Sequence, residues 1–136
     1  MSFHPNLPDA AKRHLHAAEL LCAEPGHRKD VAGYLYGIAV ECAVKQLLVP
    51  LKIDEKYDKD GMNYAHFPEL RTLLRDALKG RRGTSDPLFR FIFNDSFMNN
   101  WHVSMRYADS RQIRGEWVAA WQKQAKDAVG AMEAQL

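Results

Sequence analysis

The stretch Tyr34-Leu-Tyr-Gly-Ile-Ala-Val-Glu-Cys-Ala-Val-Lys-Gln-Leu-Leu48 decides the fold class. It is apolar nearly all round at helical spacing. One acid, Glu41, and one base, Lys45, interrupt it four residues apart. A helix with no polar face belongs at the centre of a bundle. A charge pair kept in such a helix costs desolvation energy unless it is well partnered. It therefore either fixes packing or builds a site.

Working outward, the same helix is expected over about Lys29 to Leu48, with Asp30 at the positive end of the macrodipole. Val31, Leu35, Ile38, Cys42 and Val49 share a face, which is expected to be the core face. Gly33, Gly37, Val40 and Val44 lie roughly opposite, where small residues let a neighbouring helix come close. Pro50 ends the helix.

Before it, a first helix is expected from about Pro8 to Cys22, with Ala11, Leu15, Ala18 and Leu21/Cys22 inward. Glu24-Pro25-Gly26 stops it. After it, Lys52 to Ala65 is polar and reads as a loop. A third helix starts near Phe67-Pro68-Glu69 and carries Leu70, Leu73, Leu74, Ala77 and Leu78. Lys79-Gly-Arg-Arg-Gly83 closes it. Asp86-Pro87 reads as a cap and first turn for a fourth helix with Leu88, Phe91, Ile92 and Phe97. A break follows near Asn99-Asn100. Trp101–Asp109 then holds a further helical turn or two. The last helix starts between Ser110 and Arg114 and reaches about Glu133, with Ile113, Trp117, Ala120/Trp121, Ala128 and Met132 inward. No strand alternation is present. The expected fold is all-α, an antiparallel up-and-down bundle of about five helices in a single domain.

Composition bounds the function. The chain has 136 residues, enough for one core without staples. Hydrophobic content of 46% and charged content of 26% are those of an ordinary globular protein. A net charge of +2 does not announce a nucleic-acid binder, so local clustering has to carry any such reading. Cys22 and Cys42 fall on apolar helical positions and read as reduced core thiols. There is no Cys-x-x-Cys. His14 and His16 are two apart and face different sides of a helix, so no metal site is expected. No cofactor signature is present. The N-terminus lacks the features of a signal peptide. No apolar run is expected to reach the roughly 20 residues that span a bilayer. The expectation is a cytoplasmic protein without a membrane partner.

The residues in order are an amphipathic first helix, Tyr34 to Lys45, His66-Phe67-Pro68-Glu69-Leu70, and Trp101 with Arg106-Tyr107. In that order and spacing the chain resembles the HEPN domains (higher eukaryotes and prokaryotes nucleotide-binding), over roughly Ala10 to Asp109. The resemblance implies a small helical bundle, a homodimer, and a place in a bacterial toxin–antitoxin or defence system. It also implies a minimal nucleotidyltransferase as a possible partner, and RNA or a nucleotide as ligand. The family's ribonuclease branch is metal-independent and carries Arg, four to six residues, then His. This chain lacks that motif. No histidine follows Arg106, and no earlier arginine has one at that spacing. The resemblance therefore implies fold and dimerisation rather than catalysis.

Several site readings follow. Glu41 and Lys45 are either a structural pair, or Glu41 orients Arg106 while Lys45 faces an anionic ligand. His102 and Arg106, four apart, would share a helix face. They could supply a base and a charge stabiliser for a ribonuclease with a non-standard site. Trp101 and Tyr107 are candidate ligand contacts, and Tyr107 is equally a core tyrosine. Lys79, Arg81 and Arg82 form a basic turn at a helix end. The excess of Phe89, Phe91, Phe93, Phe97 and Trp101 in one short region points to a dimer interface. A purely structural helical adaptor is the remaining alternative.

Overall fold

The structure, a computed structural model, describes residues 3–23, 28–51, 64–80 and 87–136. Among these are five α-helices and no strand: α1 (Leu7–Ala23), α2 (Lys29–Leu48), α3 (Glu69–Leu78), α4 (Pro87–Ile92) and α5 (Gly115–Ala134). Three short 3₁₀ segments, Val49–Leu51, Val103–Tyr107 and Ser110–Gln112, join them. The all-α bundle is as the sequence leads one to expect.

Helix α1 begins where Asn6 accepts a hydrogen bond from the Asp9 amide at 3.1 Å. That side chain satisfies one of the donors orphaned at a helix start. Both α1 and α5 pack on α2, and on each other. A polar clasp ties the three together. Glu19 on α1 accepts from the Tyr36 hydroxyl at 3.2 Å and from Gln122 Nε2 at 2.8 Å, and pairs with Lys126 Nζ at 3.2 Å. Helix α4 packs on α2, α3 and α5. Arg75 of α3 caps the end of α4, donating from Nε to the Ile92 carbonyl at 2.8 Å and from Nη2 to Asp95 at 3.0 Å.

The face of α2 turned inward is not the expected one. Val31 is 40% exposed, and Leu35, Ile38 and Cys42 are only half-buried. The buried positions are Ala32, Gly33, Tyr36, Gly37, Ala39, Val40, Ala43, Val44 and Leu47. With apolar residues all round, the pattern could not choose a face. Two tryptophans choose it. The Trp121 ring lies against Gly33, where a Cβ would come within 2.9 Å of it. The Trp101 ring lies over Gly37 so closely that a Cβ there would overlap it. Small residues do permit a close approach, but of indole rings rather than of a helix backbone.

The span Lys29–Leu51 is, by length and composition, apolar enough to cross a membrane, which corrects the expectation that no run reaches that length. Half of its apolar window is buried in the bundle, as befits a central helix.

Elsewhere much of each expected inner stripe is buried: Ala11 and Ala18 on α1, Leu70, Leu74, Ala77 and Leu78 on α3, and Trp121, Ala128 and Met132 on α5. Leu15, Leu21, Cys22, Leu73, Ile113 and Trp117 are half-buried against the core, and Ala120 is exposed. Phe97 is buried but lies in turns beyond α4. The aromatic run is largely consumed inside the chain. Phe91, Phe97 and Trp101 are in the core, and Phe93 is the exposed member. Phe89 is half-buried and stacks on Phe93, so these two are what the bundle leaves at its surface. Glu24–Gly26, most of the 52–65 loop, the Asp86 cap, and Arg81 and Arg82 of the basic turn lie outside the described residues.

Candidate functional site

Glu41 is 2% exposed. Its Oε1 meets His66 Nδ1 at 2.7 Å, and its Oε2 accepts from the Phe67 amide at 2.8 Å. Both partners come from the segment leading into α3. The Glu41 carboxylate thus fastens the start of α3 to the middle of α2, and Phe67 is buried beside it, edge-on to Phe97. The expected Glu41–Arg106 pair does not form; both carboxylate oxygens are already engaged. Lys45, one turn along α2, is also buried.

Burial pushes the Glu41 carboxyl up from its ordinary 4.5, against the opposing pull of His66, the Phe67 amide and Lys45. Burial also pushes the Lys45 ammonium down, against the pull of Glu41 and Cys42. For Glu41 the consequence is a pH dependence of known sign. A folded-state value above the unfolded one means that its stabilising contribution is complete below 4.5 and is lost as pH rises through the raised value. Glu41→Gln cannot titrate. The melting temperature of the wild type relative to Glu41→Gln should therefore fall between pH 4.5 and 7.5. Thermal melts of both proteins across that range check this, and a rising difference would contradict it.

Trp101 is 2% exposed, so it is a packing residue and not an open stacking platform. Its Nε1 donates to the Gly33 carbonyl at 3.1 Å, and its ring stacks on Tyr34 with centroids 5.9 Å apart at 11°. The segment after it is a 3₁₀ helix, with three residues per turn. Positions four apart then point in different directions. His102 and Arg106 accordingly do not form a pair. His102 sits at the N-cap, and its Nδ1 accepts from the Ser104 amide at 3.0 Å. It lines a cleft with Phe67, Arg71 and Asn100. Arg106 lines a different one.

That second cleft, about 390 Å³, runs between the start of α2 and the two 3₁₀ segments that precede α5. Arg28, Asp30, Tyr34, Arg106 and Ser110 are among its polar groups; Val31, Met105 and Ile113 are among its apolar ones. Arg106 Nη1 donates to the Tyr34 hydroxyl at 3.3 Å, and its guanidinium lies 5.2 Å from the centre of the Tyr107 ring. Arg28 is held by Asp30 at 2.6 Å. Tyr107 is 82% exposed, which settles it as a surface residue rather than a core one. Among the described residues, two guanidiniums against one carboxylate, beside the exposed ring of Tyr107, suit an anion attached to a flat apolar group.

Of the residues expected at a site, the structure brings Arg106 and Tyr107 together on the surface. Glu41, Lys45 and Trp101 are interior. Arg28, Asp30 and Tyr34 were not expected to join Arg106. They lie more than seventy positions away in the chain, and no local pattern marks them. Among the described residues no cluster of histidine, cysteine and carboxylate side chains could hold a metal. The chain matches no family model, no curated protein and no solved structure.

Proposed function

We propose that this chain is a HEPN-like helical protein that binds single-stranded RNA or a nucleotide in the Arg28–Arg106 cleft and does not cut it. The observation that carries this reading is Arg106. Among the described residues its hydrogen bond goes to a neutral phenol, not a carboxylate. The rest of its fork stays available on an exposed surface beside Tyr107. A guanidinium reads phosphate through paired N–H donors, and a tyrosine face accepts any base. The order of motifs along the chain and the all-α bundle fit the family. The same resemblance supplies the wider setting: a toxin–antitoxin or defence system, a homodimer, and a minimal nucleotidyltransferase as partner. A ribonuclease using His102 and Arg106 is disfavoured, because the two side chains line separate clefts.

Arg106→Ala tests the reading. Affinity for a fluorescein-labelled single-stranded RNA, measured by anisotropy, should fall at least about tenfold, or roughly 1.4 kcal/mol. Stability should stay within about 0.5 kcal/mol, since an exposed side chain away from the core is lost. Arg106→Lys should recover only part of the affinity, because an ammonium cannot form the paired contact. Equal RNA affinity in wild type and Arg106→Ala would overturn the proposal.

A further inference from the structure

The cleft that holds His102 carries a chemistry of its own. It measures about 270 Å³ and lies between the start of α3 and the turns at Met98–Trp101. Arg71, Asn99, Asn100 and His102 supply its polar side chains, and Phe67 and Trp101 are among its apolar walls. Among the described residues no carboxylate lines it.

Arg71 is the unusual member. Its Nε is buried and has no hydrogen-bond partner. A buried N–H of a charged group left unpaired is costly, and such atoms are uncommon in folded proteins. Its neighbour one turn on, Arg75, donates from Nε to the Ile92 carbonyl and from Nη2 to Asp95. Burial and the like charge of Arg75 both press Arg71 towards its neutral form, with Asp95 opposing them. Arg71 lines this cleft, and among the described residues its buried Nε–H has no acceptor.

The other groups complement it. His102 Nδ1 is already an acceptor for the Ser104 amide, which leaves Nε2 as the N–H of the neutral ring. The side-chain amides of Asn99 and Asn100 add further donors. The turn that carries them is pinned from behind. The Met98 amide donates to Gln124 Oε1 at 2.9 Å, and Trp121 Nε1 donates to the Asn99 carbonyl at 2.9 Å. Met98 and Asn100 both hold positive φ, 57° and 70°. A turn whose backbone is fixed before the ligand arrives lowers the ordering cost of binding.

We propose that this cleft is a binding site for a phosphate group, separate from the Arg106 cleft, with Arg71 as its principal contact and Asn99, Asn100 and His102 as further donors. The phosphate is either free or carried on a small organic molecule whose apolar part rests on Pro68, the exposed apolar residue at the rim. The proposal does not depend on RNA binding at Arg106.

Two-dimensional amide NMR of the full chain, at constant ionic strength, tests it with two probes: inorganic phosphate and phenyl phosphate. Saturable shifts are expected at Asn99, Asn100, His102 and the Arg71 Nε–H. Phenyl phosphate binding at least about tenfold tighter than inorganic phosphate identifies an organic phosphate as the ligand, and equal affinities identify free phosphate. Arg71→Gln should abolish the shifts. Asn100→Asp places a carboxylate against the phosphate on a backbone that aspartate tolerates, and should weaken binding at least about tenfold even if Arg71→Gln does not fold. Arg106→Ala should leave these shifts unchanged, whatever it does to RNA binding. Absence of saturable shifts with either probe, or shifts that survive Arg71→Gln or Asn100→Asp, would overturn the proposal.

Discussion

Gly37→Ala should destabilise the protein by about 2–4 kcal/mol, although alanine is the better helix former. Intrinsic propensity alone favours alanine by about 1 kcal/mol. The steric term is larger. A Cβ at position 37 would overlap the Trp101 indole at Cε2 and Nε1, in the rigid part of the ring. The ring cannot tilt away freely. It is tied to the Gly33 carbonyl and stacked on Tyr34. Either the indole leaves its site or α2 shifts from its neighbours. Loss of a buried tryptophan costs about 3–5 kcal/mol, and overpacking costs about 1–3 kcal/mol. Gly130 is the control. It lies within α5, is exposed, and has nothing within 4 Å of an added Cβ. Gly130→Ala should raise stability by about 0.5–1 kcal/mol. Urea denaturation of the two variants measures both changes. Equal effects at the two glycines would mean that Trp101 does not sit where it is described.

Glu41→Ala should be the costliest single change in the polar interior, at about 3–5 kcal/mol. It strands the Phe67 amide, which now donates to Glu41 at 2.8 Å. An unsatisfied buried donor alone costs about 1–3 kcal/mol. It also removes the opposite charge that steadies the buried Lys45. Glu41→Gln keeps an oxygen for the Phe67 amide and should cost markedly less. If alanine and glutamine prove equally harmful, the charge of Glu41 matters more than its hydrogen bonds.

These two sites also show what the sequence could and could not say. Helix α1 could be read to within a residue at each end, because Ala11, Leu15, Ala18 and Leu21/Cys22 make a regular stripe between Pro8 and the Pro25-Gly26 stop. The stripe of α3 was equally plain. The orientation of α2 was not, because its apolar residues surround it and give no preferred face. The informative residues were Gly33 and Gly37, and their meaning depends on Trp121 and Trp101 far along the chain. The charge of Glu41 was rightly singled out as something that needs a partner. The partner is His66 with the Phe67 amide, not Arg106. His66 and Phe67 stand in the sequence as a visible motif, but only the packing of α3 on the bundle brings them to Glu41. The Arg106 cleft was half legible. Arg106 and Tyr107 could be picked out by their aromatic setting. Arg28, Asp30 and Tyr34 reach them only because the 3₁₀ segment Val103–Tyr107 packs on α2. The separation of His102 from Arg106 turns on that segment being 3₁₀ and not α-helical, a difference that four-residue spacing cannot reveal.

The central claim is that the Arg28–Arg106 cleft is where RNA or a nucleotide binds. Amide NMR mapping of the full chain with a short single-stranded RNA tests it most directly, because it reports where the ligand sits as well as whether it binds. The predicted result is a set of saturable shifts confined to Val31, Tyr34, Met105, Arg106, Ser110 and Ile113, which weaken as salt is raised because phosphate contacts release counterions. No saturable shift, or shifts that fall elsewhere on the bundle and leave these residues still, would contradict it.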